Sequence, residues 1–133
     1  MDTPEFVGPF DAIALSASLT AADVRKSVAW YRDVLGFGVE REYERDGRLI
    51  AVALKAGAAQ ILITQDDGAK GLERIKGAGI SLQFTTAQNV DAIANRAMAS
   101  GAVLDTEPAD AWGARVFRLH DPDGFKLVIS SPR

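Results

Sequence analysis

The chain has 133 residues, 47% hydrophobic and 25% charged, the balance of one soluble globular domain with its own core and no room for two. With 15 basic against 18 acidic residues the formal net charge is −3, which argues against a general nucleic-acid binder, since that needs a net basic surface. No cysteine and a single histidine exclude disulfides, thiolate nucleophiles and zinc–sulfur sites, and no apolar run approaches the ~20 residues of a membrane span.

Residues 1–11 are acidic and hold Pro4, Gly8 and Pro9, so they do not read as a secretory signal, and the protein is expected to be cytoplasmic. Ile13 and Leu15 alternate with Ala12, Ala14 and Ser16, which predicts a first strand over 11–17. Thr20, with Asp23 three positions on, reads as a helix N-cap in a short-armed capping box. Val24, Val28, Tyr31 and Leu35 then recur at helical spacing, and Gly36 stands where a left-handed C-cap residue is wanted. Strands are predicted over 39–45, 49–54 and 60–65, separated by the hairpin signal Asp46-Gly47 and a turn at Ala56-Gly57. Residues 66–79, with glycines at 68, 71, 77 and 79, read as a linker with at most one helical turn.

The order then repeats. Ile80, Leu82 and Phe84 alternate as a strand. Asn89 caps a helix carrying Val90, Ile93, Ala94, Ala97 and Met98, closed by Gly101. A short strand over 102–105, a loop at Pro108, and strands over 114–119 and 125–131 complete the chain. Ala12-Ile13-Ala14-Leu15 matches Gly79-Ile80-Ser81-Leu82 at an offset of 67, while Ile61 to Thr64 matches Leu127 to Ser130, and Asp23-Val24 matches Asn89-Val90, both at 66. Three similar offsets point to duplication of one βαβββ unit rather than two unrelated halves. Module one covers about 10–66, a linker about 67–78 and module two about 79–131, within one domain.

Strand parity separates two faces. Ile13, Leu15, Ile61, Ile63, Ile80, Leu82, Phe84, Phe125, Leu127 and Ile129 form an apolar side suited to packing on the helices. The other side carries Ser16, Gln60, Thr64, Ser81, Gln83 and Lys126, which suits the wall of a concave ligand cavity or a face covered by a partner subunit. Trp112 could stack on a flat ligand at the mouth of that cavity, with Arg115 as an anion-binding group; it could equally cover the sheet edge or a subunit seam. The candidate ligand-binding set is therefore Ser16, Gln60, Thr64, Ser81, Gln83, Trp112, Arg115 and Lys126. No catalytic residue stands out. His120 reads as a strand-end or surface residue, and no serine has a base fixed beside it by sequence.

Three segments carry a family resemblance: Ser27-Val28-Ala29-Trp30-Tyr31-Arg32-Asp33-Val34-Leu35-Gly36-Phe37, Trp112-Gly113-Ala114-Arg115-Val116-Phe117 and Asp121-Pro122-Asp123-Gly124-Phe125. With the duplicated module they span about 10–131, and the chain resembles the vicinal oxygen chelate superfamily (glyoxalase, bleomycin-resistance protein and extradiol dioxygenase relatives), in its bleomycin-resistance-like branch. The resemblance implies an α+β fold of two tandem βαβββ modules, a curved mixed sheet around a cleft with helices on the outer face. It also implies a homodimer. Chemically active relatives hold a divalent metal on the first and last strands of each module, positions that carry over to Ala12, Leu62, Gly79 and Val128. None has a side-chain donor, and a slip of one residue would add only Asp11, too little to hold a hard cation.

The resemblance and this donor set together lead to the expectation of a metal-independent small-molecule binding protein, without cofactor and without nucleic-acid or membrane partners, taking an anionic or neutral ligand. A lyase, isomerase or dioxygenase with displaced metal ligands, and a dimeric interaction module, are the alternatives.

Overall fold

The computed structural model describes residues 8–133; the acidic residues 1–7, part of the segment read above as no signal, lie outside the described residues. The chain is α+β and built as two modules in tandem. Module one holds β1 (Ala17–Ala21), α1 (Val24–Trp30), β2 (Gly38–Arg45), β3 (Arg48–Ala56) and β4 (Ala59–Gln65). Module two repeats the order with β5 (Ser81–Thr85), α2 (Val90–Ala99), β6 (Leu104–Ala111), β7 (Ala114–His120) and β8 (Lys126–Pro132). Each module forms a four-stranded sheet, ordered β1-β4-β3-β2 and β5-β8-β7-β6. β1 runs parallel to β4 and β5 parallel to β8, while the remaining pairs are antiparallel.

Local chemistry fixes the helix ends. Asp23 is the N-cap of α1, its carboxylate accepting from Lys26 N at 3.2 Å, whereas Thr20, the expected cap, is a β1 residue. β1 lies further along the chain than expected and takes in Thr20, and Asp23 is the next residue able to satisfy a free N–H. A π-helical turn, Tyr31–Leu35, continues α1 and ends at Gly36 with φ +79°, the left-handed conformation its sequence position requires. Asn89 caps α2 by accepting from Ala92 N at 3.0 Å.

α1 packs on the first sheet and α2 on the second, α2 also meets the π-helical turn, and buried residues of both modules join in one core. Leu19, Val52, Leu54, Ile61 and Ile63 contribute from the first sheet, and Phe117, Leu119, Leu127 and Ile129 from the second. Each such side chain removed from water is worth roughly 1.5–3 kcal/mol. Across the junction, edge-to-face contacts run from Trp30 to Tyr31, to Phe37, to Phe84, with centroids 4.9, 5.3 and 5.8 Å apart. Two aspartates of the tight turn at 121–124 reach back to module one. Tyr31 Oη donates to Asp121 Oδ2 at 2.8 Å, and Ala22 N donates to Asp123 Oδ1 at 2.8 Å.

Three sequence expectations change. The first strand begins at Ala17, and residues 11–16 precede it with Ile13 and Leu15 fully exposed. Alternation runs unbroken from residue 11 to 21, so the pattern alone does not say where pairing starts. Register decides it: Ala17 lies opposite Ile61 and Leu82 opposite Leu127, so Ala17, not Leu15, is the counterpart of Leu82. Second, the predicted break at Pro108 is absent, because β6 runs through it as an edge strand, accommodated by register shifts between Leu104 and Thr106 and between Thr106 and Ala109. Third, the one helical turn allowed for in the linker does not form, and the segment is turns, bends and irregular chain. It is pinned by Asp66, which accepts from Gly68 N at 2.9 Å and pairs with Arg74 and Lys76 at 3.2 and 3.3 Å.

No helix among the described residues is long and apolar enough to cross a membrane.

Candidate functional site

The face of the second sheet turned away from the helices carries the residues that alternate with its core positions. Register lays them out in rows across three strands. Ser81 of β5 lies opposite Lys126 of β8, which lies opposite His120 of β7; in the next row Gln83, Val128 and Arg118 are neighbours. These residues, with Gly124 at the edge of the tight turn and Asp105 of β6, line a cavity of about 670 Å³.

Asp105 reaches this cavity through the irregularity in β6. Leu104 pairs with Leu119 but Thr106 with Arg118, so Asp105 is the extra residue of a bulge. A bulge re-aims a side chain. Here it brings the Asp105 carboxylate within 2.9 Å of His120 Nδ1. Arg118 and Lys126 form no ion pair among the described residues.

Of the eight residues predicted from sequence, Ser81, Gln83 and Lys126 come together here. Gln60 and Thr64 lie on the corresponding face of the first sheet, apart from this cavity, where Gln60 Nε2 donates to Glu40 Oε1 at 2.8 Å and Thr64 Oγ1 donates to Leu19 O at 3.5 Å. Ser16 is exposed and precedes β1, so Ser18 occupies the strand position next to Leu62. Trp112 stands fully exposed at the tip of the β6–β7 hairpin with φ +53°. Arg115 belongs to the opposite face. Its odd parity places it with Phe117 and Leu119, and it makes a two-pronged contact with Asp91 of α2 at 3.1 and 3.3 Å that raises its pKa. Arg118, His120 and Asp105 are the residues that sequence reasoning missed. Parity along β7 was a usable signal for Arg118 and His120. Nothing local announces a bulge, so Asp105 had none.

The tight turn beside the cavity is held by a buried latch. Asp121 Oδ1 accepts from Asp123 N at 2.9 Å and Phe125 N at 3.0 Å, leaving Oδ2 for Tyr31. Burial pushes the Tyr31 phenol far above its ordinary value, and the Asp121 charge adds to this. Burial also raises Asp121, against the hydrogen bonds from Tyr31 and the backbone that favour its charged form. Tyr31 therefore stays a donor, and the latch fixes the start of β8 and with it Lys126.

The metal positions implied by resemblance do not survive as a set. Ala12 and Gly79 lie outside the strands, and register puts Ser18 and Gln83 beside Leu62 and Val128 instead. One amide and one hydroxyl do not make a divalent-metal site. Among the described residues no group of three or more His, Cys, Asp or Glu could hold an ion, so these residues do not fit a metal.

The family model described as the Glyoxalase/Bleomycin resistance protein/Dioxygenase superfamily matches residues 11–129. No curated protein matches the sequence. Among solved structures, TioX from Micromonospora sp. ML1 is 19% identical with a TM-score of 0.72, over 92% of this chain and 100% of that one. TnmS3, an antibiotic binding protein from Streptomyces sp. CB03234, is 19% identical with a TM-score of 0.73, over 93% and 100%. A glyoxylase/bleomycin resistance protein/dioxygenase domain from Frankia sp. EAN1pec is 19% identical with a TM-score of 0.72, over 94% of each. At these identities the structures establish a shared fold.

Proposed function

The chain belongs to the glyoxalase/bleomycin resistance protein/dioxygenase superfamily, and on that premise we propose that it is a metal-independent small-molecule binding protein that acts as a homodimer. The observation that carries the reading is the cavity on the open face of the second sheet, where Ser81, Gln83 and Lys126 converge with Arg118 and His120. A concavity with a few converging polar groups is the usual form of a small-molecule site. TnmS3, which shares this fold, is described as an antibiotic binding protein. The donor set supports independence from metal, since Asp105 and His120 stand as a pair and no third carboxylate or imidazole joins them among the described residues.

Open edges support the homodimer. Among the described residues β1 pairs only with β4 and β5 only with β8, so each sheet ends in a strand with free backbone groups. Phe10, Ile13 and Leu15 are uncovered immediately before β1. Unpaired edges beside exposed apolar side chains attract another strand, and a second copy supplies one. Such pairing would bring the polar face of a first sheet, with Gln60 and Thr64, towards that of a second.

Protein purified without chelator is to be assayed for bound metal, for oligomeric state by sedimentation velocity, and for binding across a panel of aromatic natural products by thermal shift. The expected result is a metal-free dimer stabilised by at least one compound, and a dimer weakened by the paired changes Ile13→Ser and Leu15→Ser. Stoichiometric manganese, iron, nickel or zinc would refute metal independence, and a monomer at all concentrations would refute the dimer.

A further inference from the structure

The geometry points to an oxyanion subsite in the cavity of the second sheet: Arg118 and Lys126 together receive an acidic oxygen group of the ligand, a carboxylate or a phosphate. This rests on the binding reading above and names the ligand's chemistry.

Charge is the first argument. The whole chain carries a net charge of −3, yet this cavity holds two cations, Arg118 and Lys126, that have no ion-pair partner among the described residues. Elsewhere Arg74 and Lys76 pair with Asp66 and Arg115 with Asp91; of the cations without such a partner among the described residues, Arg118 and Lys126 are the two that line this cavity. The carboxylate that lines the cavity, Asp105, is engaged by His120 Nδ1 at 2.9 Å. Asp105 keeps its charge and holds the imidazole through this bond, so two cations stand against one carboxylate in the lining, and Nε2 remains as the ring's other polar atom.

Register is the second argument. Lys126 is opposite His120 and Arg118 is opposite Val128, so the two cations occupy diagonal positions on one face of the β7–β8 pair. Diagonal neighbours on an antiparallel pair stand about 7–8 Å apart, and long side chains from both reach one group between them. Arginine offers a planar fork suited to a carboxylate or phosphate, and lysine a point charge. Two cations this close repel one another, and an anion relieves that repulsion. Ser81 and Gln83, on the adjoining strand, add neutral hydrogen-bonding groups on the same face.

The test compares three probes of one shape and different charge: benzoate, benzamide and benzamidine, titrated into the full chain in low salt near neutral pH. Backbone amide shifts of Ser81, Gln83 and Lys126 report the site. Benzoate is expected to move these amides and to bind about tenfold more tightly than benzamide, with benzamidine weakest. Arg118→Ala and Lys126→Ala should each weaken benzoate several-fold and together abolish saturation, while Arg25→Ala, an exposed cation elsewhere, leaves it unchanged. All three positions are exposed, so the variants are expected to fold, checked by their amide spectra. Inorganic phosphate as a fourth probe separates a phosphate preference from a carboxylate one. Equal or tighter binding of benzamide or benzamidine, no movement at these amides with any probe, or benzoate binding that survives the double variant overturns the subsite. A neutral or cationic compound from the natural-product panel moving the same amides would overturn the subsite while leaving the binding reading intact.

Discussion

Tyr31→Phe removes one oxygen and nothing else, and its effect follows from the geometry of the latch. The hydroxyl donates at 2.8 Å to Asp121 Oδ2, an oxygen with no other hydrogen bond among the described residues, on a carboxylate whose second oxygen is already satisfied by two backbone N–H groups. Both residues are buried. Loss of a buried hydrogen bond to a charged group costs about 1.5–3 kcal/mol. With a urea slope of about 2 kcal/mol/M, the midpoint should fall by roughly 1 M. The pH dependence carries a sign. Burial raises Asp121 in the fold above its unfolded value of about 3.9, so ionised Asp121 opposes folding above the raised pKa and acid relieves that cost. The Tyr31 hydrogen bond lowers this pKa. Its removal lets the pKa rise further, so the cost of Tyr31→Phe grows as pH rises through the Asp121 titration and shrinks in acid. Urea unfolding followed by tryptophan fluorescence at several pH values measures both quantities. A midpoint shift below about 0.3 M at neutral pH, or a cost that does not change with pH, would refute the latch.

Asp66 behaves in the opposite sense. Its pKa is lowered, first by the Gly68 N–H and then by Lys76 and Arg74, against the effect of burial, so its stabilisation is present above about 3.9 and lost as pH falls through the lower folded value. Asp66→Asn should be less stable at neutral pH and show a flatter acid limb in thermal melts. Gly77→Ala should cost about 1–3 kcal/mol in urea unfolding, because φ is +73° and the added Cβ would stand 2.8 Å from Phe125 Cδ1. Trp112→Ala, at a fully exposed position, should change single-chain stability by less than about 0.5 kcal/mol. A dimer that dissociates more readily in this variant would assign Trp112 to the subunit seam.

Much of the architecture was legible because it rests on short-range rules. Asn89 and Gly36 end their helices as their side chains and backbone freedom dictate, Asp46-Gly47 turns a hairpin, and the segment at 121–124 forms a tight turn. The apolar parity of Ile61, Ile63, Leu127 and Ile129 placed the core face. Less of the site was legible. Ser81, Gln83 and Lys126 followed from parity, but Arg115, expected beside Trp112 at the cavity mouth, lies on the other side of β7 from Arg118 and pairs with Asp91.

The sequence by itself determined composition, chain order, the repeated module and the scarcity of metal donors, all of which depend on residue identity and local spacing. The tertiary structure alone decided where β1 begins, since an uninterrupted alternation admits several pairings and only the partner strand selects one. It also decided that Asp105 meets His120. A bulge is a mismatch between two strands, and no single strand contains the information that creates it. What began as a count of one histidine and no cysteine thus becomes a placed group, an imidazole held by a carboxylate beside two cations.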